Sequence, residues 1–191
     1  ANIKHIFMVE IENPVAVRRR VSFCEAIHEK GVTVEGVRAK QVTHMDEIPK
    51  AWEDNCIPIL VDPDWQFLKT IRPHVVVDAI IAKKNLGTHR NEAPLVIGLG
   101  PGFEAGCDVH LAIETLRGHN LGRIIETGCP APNTGIPGPI RGYTSERVLR
   151  APCAGRFLAA IPMGSMVKKN EIVGHVDNQP VIATIDGILR G

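Results

Sequence analysis

The chain has 191 residues, 44% hydrophobic and 23% charged, and its 22 Lys and Arg against 21 Asp and Glu leave a formal net charge of +1. Such a chain can bury a core and fits one large domain or two small ones, and its balanced charge argues against electrostatic capture of nucleic acid or of an anionic membrane. No apolar run approaches the roughly 20 residues that span a bilayer, and the first ten residues have neither the basic front nor the apolar centre of a signal peptide, so the expected address is the cytoplasm. Five cysteines, at 24, 56, 107, 129 and 153, form no CxxC pair. That spacing argues against a disulfide framework and a thiolate zinc site, and reduced thiols are expected.

In chain order, His5 to Glu10 reads as a short apolar strand. Asn13 and Pro14 suit the start of a helix carrying Val17, Val21, Cys24, Ala26 and Ile27 at helical spacing. Thr33 to Val42 alternates like a strand, and Thr43 with Asp46 resembles a capping box opening a helix through Ile48 and Trp52. Ile57 to Val61 and His74 to Ile81 are nearly continuous apolar runs on either side of a short helix around Trp65 to Leu68. Continuous runs alternating with helices predict a parallel sheet covered on both faces.

From Leu95 the character changes, and every glycine except Gly31, Gly36 and Gly87 lies from Gly98 onward. Leu95 to Leu99 reads as a buried strand running into a loop with glycines at 98, 100, 102 and 106. Further strands are expected at 109–116, 121–126, 147–149, 156–160, 172–176 and 181–185, separated by turn dipeptides such as Pro101-Gly102. His119 and Asn120 would turn a hairpin with arms HLAIET and GRIIET. The expected fold class is therefore α/β: a Rossmann-like parallel layer over 1–92, a glycine-rich β domain over 93–145, and a third segment over 146–191.

That last segment, APCAGRFLAAIPMGSMVKKNEIVGHVDNQPVIATIDGILRG, resembles the barrel-sandwich hammerhead of biotinyl and lipoyl domains at Ala151, Pro152, Gly155, Gly164, Val167, Lys168, Lys169 and Ile172. The resemblance implies a partial hammerhead fold. The hairpin turn where such carriers hold their modified lysine reads Asp177, Asn178, Gln179, Pro180, so no covalent biotin or lipoyl group is expected.

Across the whole chain, MVEIENPVAVRRRVSF, DAIIAKKNLGT, GLGPGFEAGCDVHLAIETLRGHNLGRIIETG, PNTGIPG and RVLRAPCAGRF resemble the accessory proteins of selenium-dependent molybdenum hydroxylase systems. The resemblance implies a role in maturing or supporting such an enzyme, with the hydroxylase or its maturation proteins as partners and neither nucleic acid nor membrane. Relatives of that kind begin with a strand, a GxGD-type glycine loop and a helix before the segment matching His5 to Glu12, and run on beyond Gly191 with further hammerhead sequence. The present chain is expected to lack both, and a nucleotide site built on that first loop would then be incomplete here. The family has no settled reaction, so catalysis and the identity of any cofactor stay open. Three classes of function follow: a maturation protein, an enzyme acting on a nucleotide or on the selenium and molybdenum cofactor, and a lipoyl-like interaction module.

The candidate residues each have a second reading. Glu10 ends the first strand, where a Rossmann-type domain places the acid that holds a ribose hydroxyl, although Glu12 is equally placed. Gly98, Gly100 and Gly102 suit a backbone cradle for a nucleotide or other small-molecule ligand, and equally a tight crossover between strands. On an extended strand Asp108, His110 and Glu114 share one face, with Val109, Leu111 and Ile113 on the buried one. Together with Arg117 they form the candidate catalytic cluster, which a polar seam between domains explains equally well. Their spacing also permits a metal without demanding one. Cys107 would be a sulfur or selenium acceptor if His110 held it as thiolate, or else plain filler. Asp78 in HVVVDAII is expected to pair with Lys83 or Lys84 unless it faces a ligand.

Overall fold

The structure, a computed structural model, describes residues 3, 5–16 and 18–190. It is a mixed α/β chain with parallel and antiparallel sheets and short helices, and contact density divides it into two compact units, one of residues 1–67 with 149–191 and one of residues 68–148.

In the first unit, strands β1 (Met8–Glu10), β2 (Gly31–Val34), β3 (Val37–Gln41) and β4 (Cys56–Val61) form a sheet of order β1-β4-β3-β2. β4 lies centrally and parallel to both β1 and β3, which is why its Ile59 and Leu60 are almost wholly buried. The single strand expected over Thr33 to Val42 is instead a hairpin, turned at Glu35-Gly36, where both residues take positive φ. The helix expected from Asn13 is broken into 3-10 turns at Arg19–Val21 and Phe23–Glu25 and one α-turn, α1 (Ala26–Glu29); Val17 lies outside the described residues. Ala26 of that turn packs with Ala39 and Ile59. The crossover from β3 to β4 is α2 (Glu47–Glu53). Its start is closed by Glu47, whose Oε1 accepts from the Thr43 and His44 amides at 2.9 and 2.8 Å, so the acid of the capping box is Glu47 where the sequence suggested Asp46.

The same unit contains the C-terminal strands. β9 (Phe157–Ala159), β11 (Ile172–Val176) and β12 (Gln179–Ile182) make an antiparallel sheet, and β10 (Met166–Val167) pairs with β13 (Gly187–Ile188). Val167, Val173, Val176, Val181 and Ala183 form their core. Asp177 and Asn178 turn the β11–β12 hairpin. In the preceding turn Lys168 Nζ lies 3.1 Å from Asp186 Oδ2. The strand expected over 147–149 is absent, and Ser145–Arg147 forms a 3-10 turn.

The chain passes through α3 (Gln66–Ile71) into the second unit. There β5 (Val75–Asp78), β6 (Leu95–Leu99) and β7 (Leu111–Ile113) run parallel and β8 (Ile124–Ile125) closes the sheet antiparallel to β7. β5 therefore pairs with β6 and not with β4, and the strands of the first 92 residues divide between two sheets. Their apolar runs carry no mark of which neighbour they will choose. Val76, Val96 and Ala112, on one face, pack with Phe103, Ala105 and Val109 from the β6–β7 crossover. The hairpin from β7 to β8 follows the expected HLAIET and GRIIET arms, with Ile113 opposite Ile124. Among the described residues no helix is long and apolar enough to cross a membrane.

Candidate functional site

In a parallel sheet the carboxyl ends of the strands lie along one edge, where the loops that follow can meet a ligand. In the second unit that edge carries Asp78 beside Gly98, then the loop from Leu99 to Gly102, then Glu114 and Thr115. The glycines here answer to the chain's own packing. A Cβ on Gly98 would lie 2.5 Å from the Phe103 ring, so Phe103 can fold back onto β6 only over glycine. At Gly100 and Gly102, both at positive φ, a Cβ would run into the Thr115 side chain and into the backbone of Lys84 respectively. The close approaches that glycine permits are thus filled by protein.

Glu114 is buried, 6% exposed, and both of its oxygens are engaged. Oε1 accepts from the Leu116 amide and Oε2 from the Ala131 amide, each at 2.7 Å. Burial pushes this carboxyl up, yet the amides of Ala131, Leu116 and Thr115 outweigh it and hold the group below the usual carboxylate range. The backbone adds to the clasp, with the Gly122 amide donating to Glu114 O at 2.8 Å. Glu114 therefore ties the β7–β8 hairpin to the segment that begins at Cys129-Pro130.

Asp108 and His110 lie before β7, at the opposite end of that strand from Glu114, because the extended backbone lasts only from Leu111 to Ile113. Asp108 Oδ2 accepts from the Glu104 amide at 3.1 Å while the Asp108 amide donates to Glu104 O at 2.9 Å, closing a turn. His110 extends the ladder to β6, its amide donating to Val96 O at 2.9 Å and its Nδ1 accepting from the Val96 amide at 3.0 Å. Arg117 is exposed in the hairpin turn. The buried face of β7 carries Ala112 and Glu114, whereas Leu111 and Ile113 are half-buried on the other, the reverse of the sequence expectation for these residues; Val109, before the strand, is buried as expected. Cys107 is exposed, and Glu104 first of all, then burial and Asp108, push its thiol up, away from a poised thiolate. Among the described residues no group of three His, Cys, Asp or Glu side chains is placed to hold a metal ion.

Glu10 belongs to the first unit, at the carboxyl end of β1. It is half-buried, and burial pushes its carboxyl up against the weaker effect of the Ile11 amide, 3.3 Å from Oε2. Beside it, buried Asp62 accepts the Phe67 amide at 2.8 Å, starting α3.

Asp78, expected to pair with Lys83 or Lys84 unless it faces a ligand, pairs instead with Thr88. The fully buried Thr88 hydroxyl donates to Asp78 Oδ2 at 2.6 Å, and the Ile80 amide to Oδ1 at 3.0 Å. Asn85 presents Thr88 by accepting from the Gly87 and Thr88 amides, each at 2.8 Å. The Asn-Leu-Gly-Thr run is a turn signal that would have pointed there. Glu92, which no pattern in the sequence marks, has its Oε2 buried without a hydrogen-bond partner, and burial pushes its carboxyl up.

The fold and these contacts describe a mixed α/β protein whose glycine-rich second unit is clasped by its own acidic side chains. No protein-family model matches the chain, and no solved structure does. A curated protein of Escherichia coli K12, named uncharacterized protein YqeB, is 44% identical over 186 residues, which make up 97% of this chain and 34% of that protein. The chain thus spans about a third of the length of the relative it matches.

Proposed function

We propose that this chain is an accessory or maturation component of a selenium-dependent molybdenum hydroxylase system, acting in the cytoplasm on the hydroxylase or on its maturation proteins. The resemblance of five separate segments to that family supplies the context. The observation that carries a supporting over a catalytic role is the engagement of Glu114, whose two oxygens accept from backbone amides at 2.7 Å. A carboxylate committed in this way is not free to move a proton, and the same holds for the His110 Nδ1 occupied by the Val96 amide. In this reading the parallel strands β1, β4 and β3 make a Rossmann-like layer, and the region over 146–191 is a partial hammerhead that serves as an interaction module without an acceptor lysine.

A second reading, an enzyme or binder acting on a nucleotide or on the selenium and molybdenum cofactor, draws on Glu10. Its carboxyl stands at the carboxyl end of a parallel strand, the place from which a ribose hydroxyl is held in dinucleotide-binding sheets. The two readings separate in a strain deleted for the gene and grown with selenium. Hydroxylase activity lost on deletion and restored by both the wild type and Glu10→Gln supports a supporting role. Restoration by the wild type alone, at equal protein level, favours the ligand-binding reading, and activity unaffected by deletion overturns both.

A further inference from the structure

Within the second unit, the described residues cover one side of the sheet only. Val76, Asp78, Val96, Gly98 and Ala112 face the core built by Phe103, Ala105 and Val109. In register on the other face stand Val75, Val77, Leu95, Ile97, Leu99, Leu111, Ile113 and Ile124, every one aliphatic. Val75 is 46% exposed, Val77 52% and Ile124 58%, and the other five are half-buried. The asymmetry follows from handedness. Both crossovers, β5 to β6 and β6 to β7, step in the same direction across the sheet, and right-handed connections that step one way fall on one side. Parallel sheets are stable when both faces are covered, most often by helices.

We propose that the bare face is the seat of an amphipathic α-helix with an uncharged aliphatic stripe, carried on the same polypeptide in the longer proteins of this kind. Size selects that occupant. Four strands about 4.8 Å apart and up to five residues at about 3.3 Å make a face of roughly 15 by 16 Å. One helix about 10 Å across, or a pair, covers it. A free second copy would have to hold on by a patch of roughly 250 Å², far below the about 800 Å² per partner of a stable complex. A tethered helix needs no such area, because tethering supplies a high effective concentration. Chain to carry it exists in the YqeB relative, whose matched stretch is 34% of its length.

The test uses the 191-residue chain and the full-length YqeB relative, each with lysine at Ile97 or its aligned position, and separately at Val77, whose half-exposed site tolerates the change should Ile97→Lys fail to fold. The probes are the apolar dye anilinonaphthalene sulfonate, melting temperature and light scattering. The 191-residue chain is expected to bind the dye as a monomer and to lose that binding with Val77→Lys at nearly unchanged melting temperature. The full-length relative is expected not to bind it, and to lose about 5 °C or more with the same substitution. Three results would overturn the proposal: a 191-residue chain that does not bind the dye, a full-length chain that melts unchanged with lysine in the face, or a dimer of the 191-residue chain that Val77→Lys dissociates.

Discussion

Replacing Glu114 by glutamine tests whether this carboxylate is a clasp or a reactive group. The side chain keeps its shape, but one oxygen becomes an NH2 that meets a backbone donor, either the Leu116 or the Ala131 amide, each now 2.7 Å from an oxygen. Hydrogen bonds to charged groups contribute roughly 1.5–3 kcal/mol each, and a buried donor left without an acceptor costs a further share of its desolvation, so Glu114→Gln should cost about 3 kcal/mol. The effect depends on pH. The folded-state pKa of Glu114 lies below its ordinary value of 4.5, so the ionised group's contribution is fully present above that value and is lost as pH falls through the folded pKa. Urea unfolding of wild type and Glu114→Gln at pH 7, 5, 4 and 3 should show a gap that is constant from 7 to 5 and narrows below. A variant within about 0.5 kcal/mol of wild type at pH 7 would refute the clasp, since that is the range of surface changes with no structural role.

His110→Ala leaves the buried Val96 amide without its side-chain acceptor and should cost about 1–3 kcal/mol in the same assay. Gly102→Ala should be far worse, leaving little folded protein on expression, because the new methyl group meets the Lys84 backbone at a positive φ. Glu92→Gln should hold or raise stability at pH 7: burial raises the folded pKa of Glu92, so the ionised form opposes folding, and that penalty grows as pH rises through the carboxylate range. A melting temperature lower than wild type would contradict it. Cys107 should react with iodoacetamide at pH 7.5 more slowly than an unstructured cysteine peptide, because Glu104 and Asp108 disfavour its thiolate.

The sequence marked strands best where pattern and punctuation agreed. Leu95–Leu99 and Ile172–Val176 fall where their apolar runs lie between turn residues, and the β7–β8 hairpin follows its repeated arms. It failed where a local signal competed with tertiary pairing. Asn13-Pro14 looked like a helix start, yet the following residues make 3-10 turns, with Arg19 and Glu25 in a bidentate ion pair at 2.8 Å that ties the first turn to the second. The partition of strands between sheets was illegible because β4 and β5 are both short aliphatic runs. At the candidate site, alternation placed Asp108, His110 and Glu114 on one face only on the assumption of one continuous strand. The turn that Glu104 and Asp108 close removes that assumption, and β7 begins only at Leu111. Partners such as Ala131 for Glu114 and Thr88 for Asp78 lie 17 and 10 positions away, where no periodicity reaches.

The proposed role is tested most directly by the ratio of selenium to molybdenum in the hydroxylase, purified from strains with and without the gene and measured by elemental mass spectrometry. A maturation or support protein predicts that the ratio falls on deletion and returns when the wild-type gene is restored. An unchanged ratio, with unchanged activity of the purified enzyme, would contradict it.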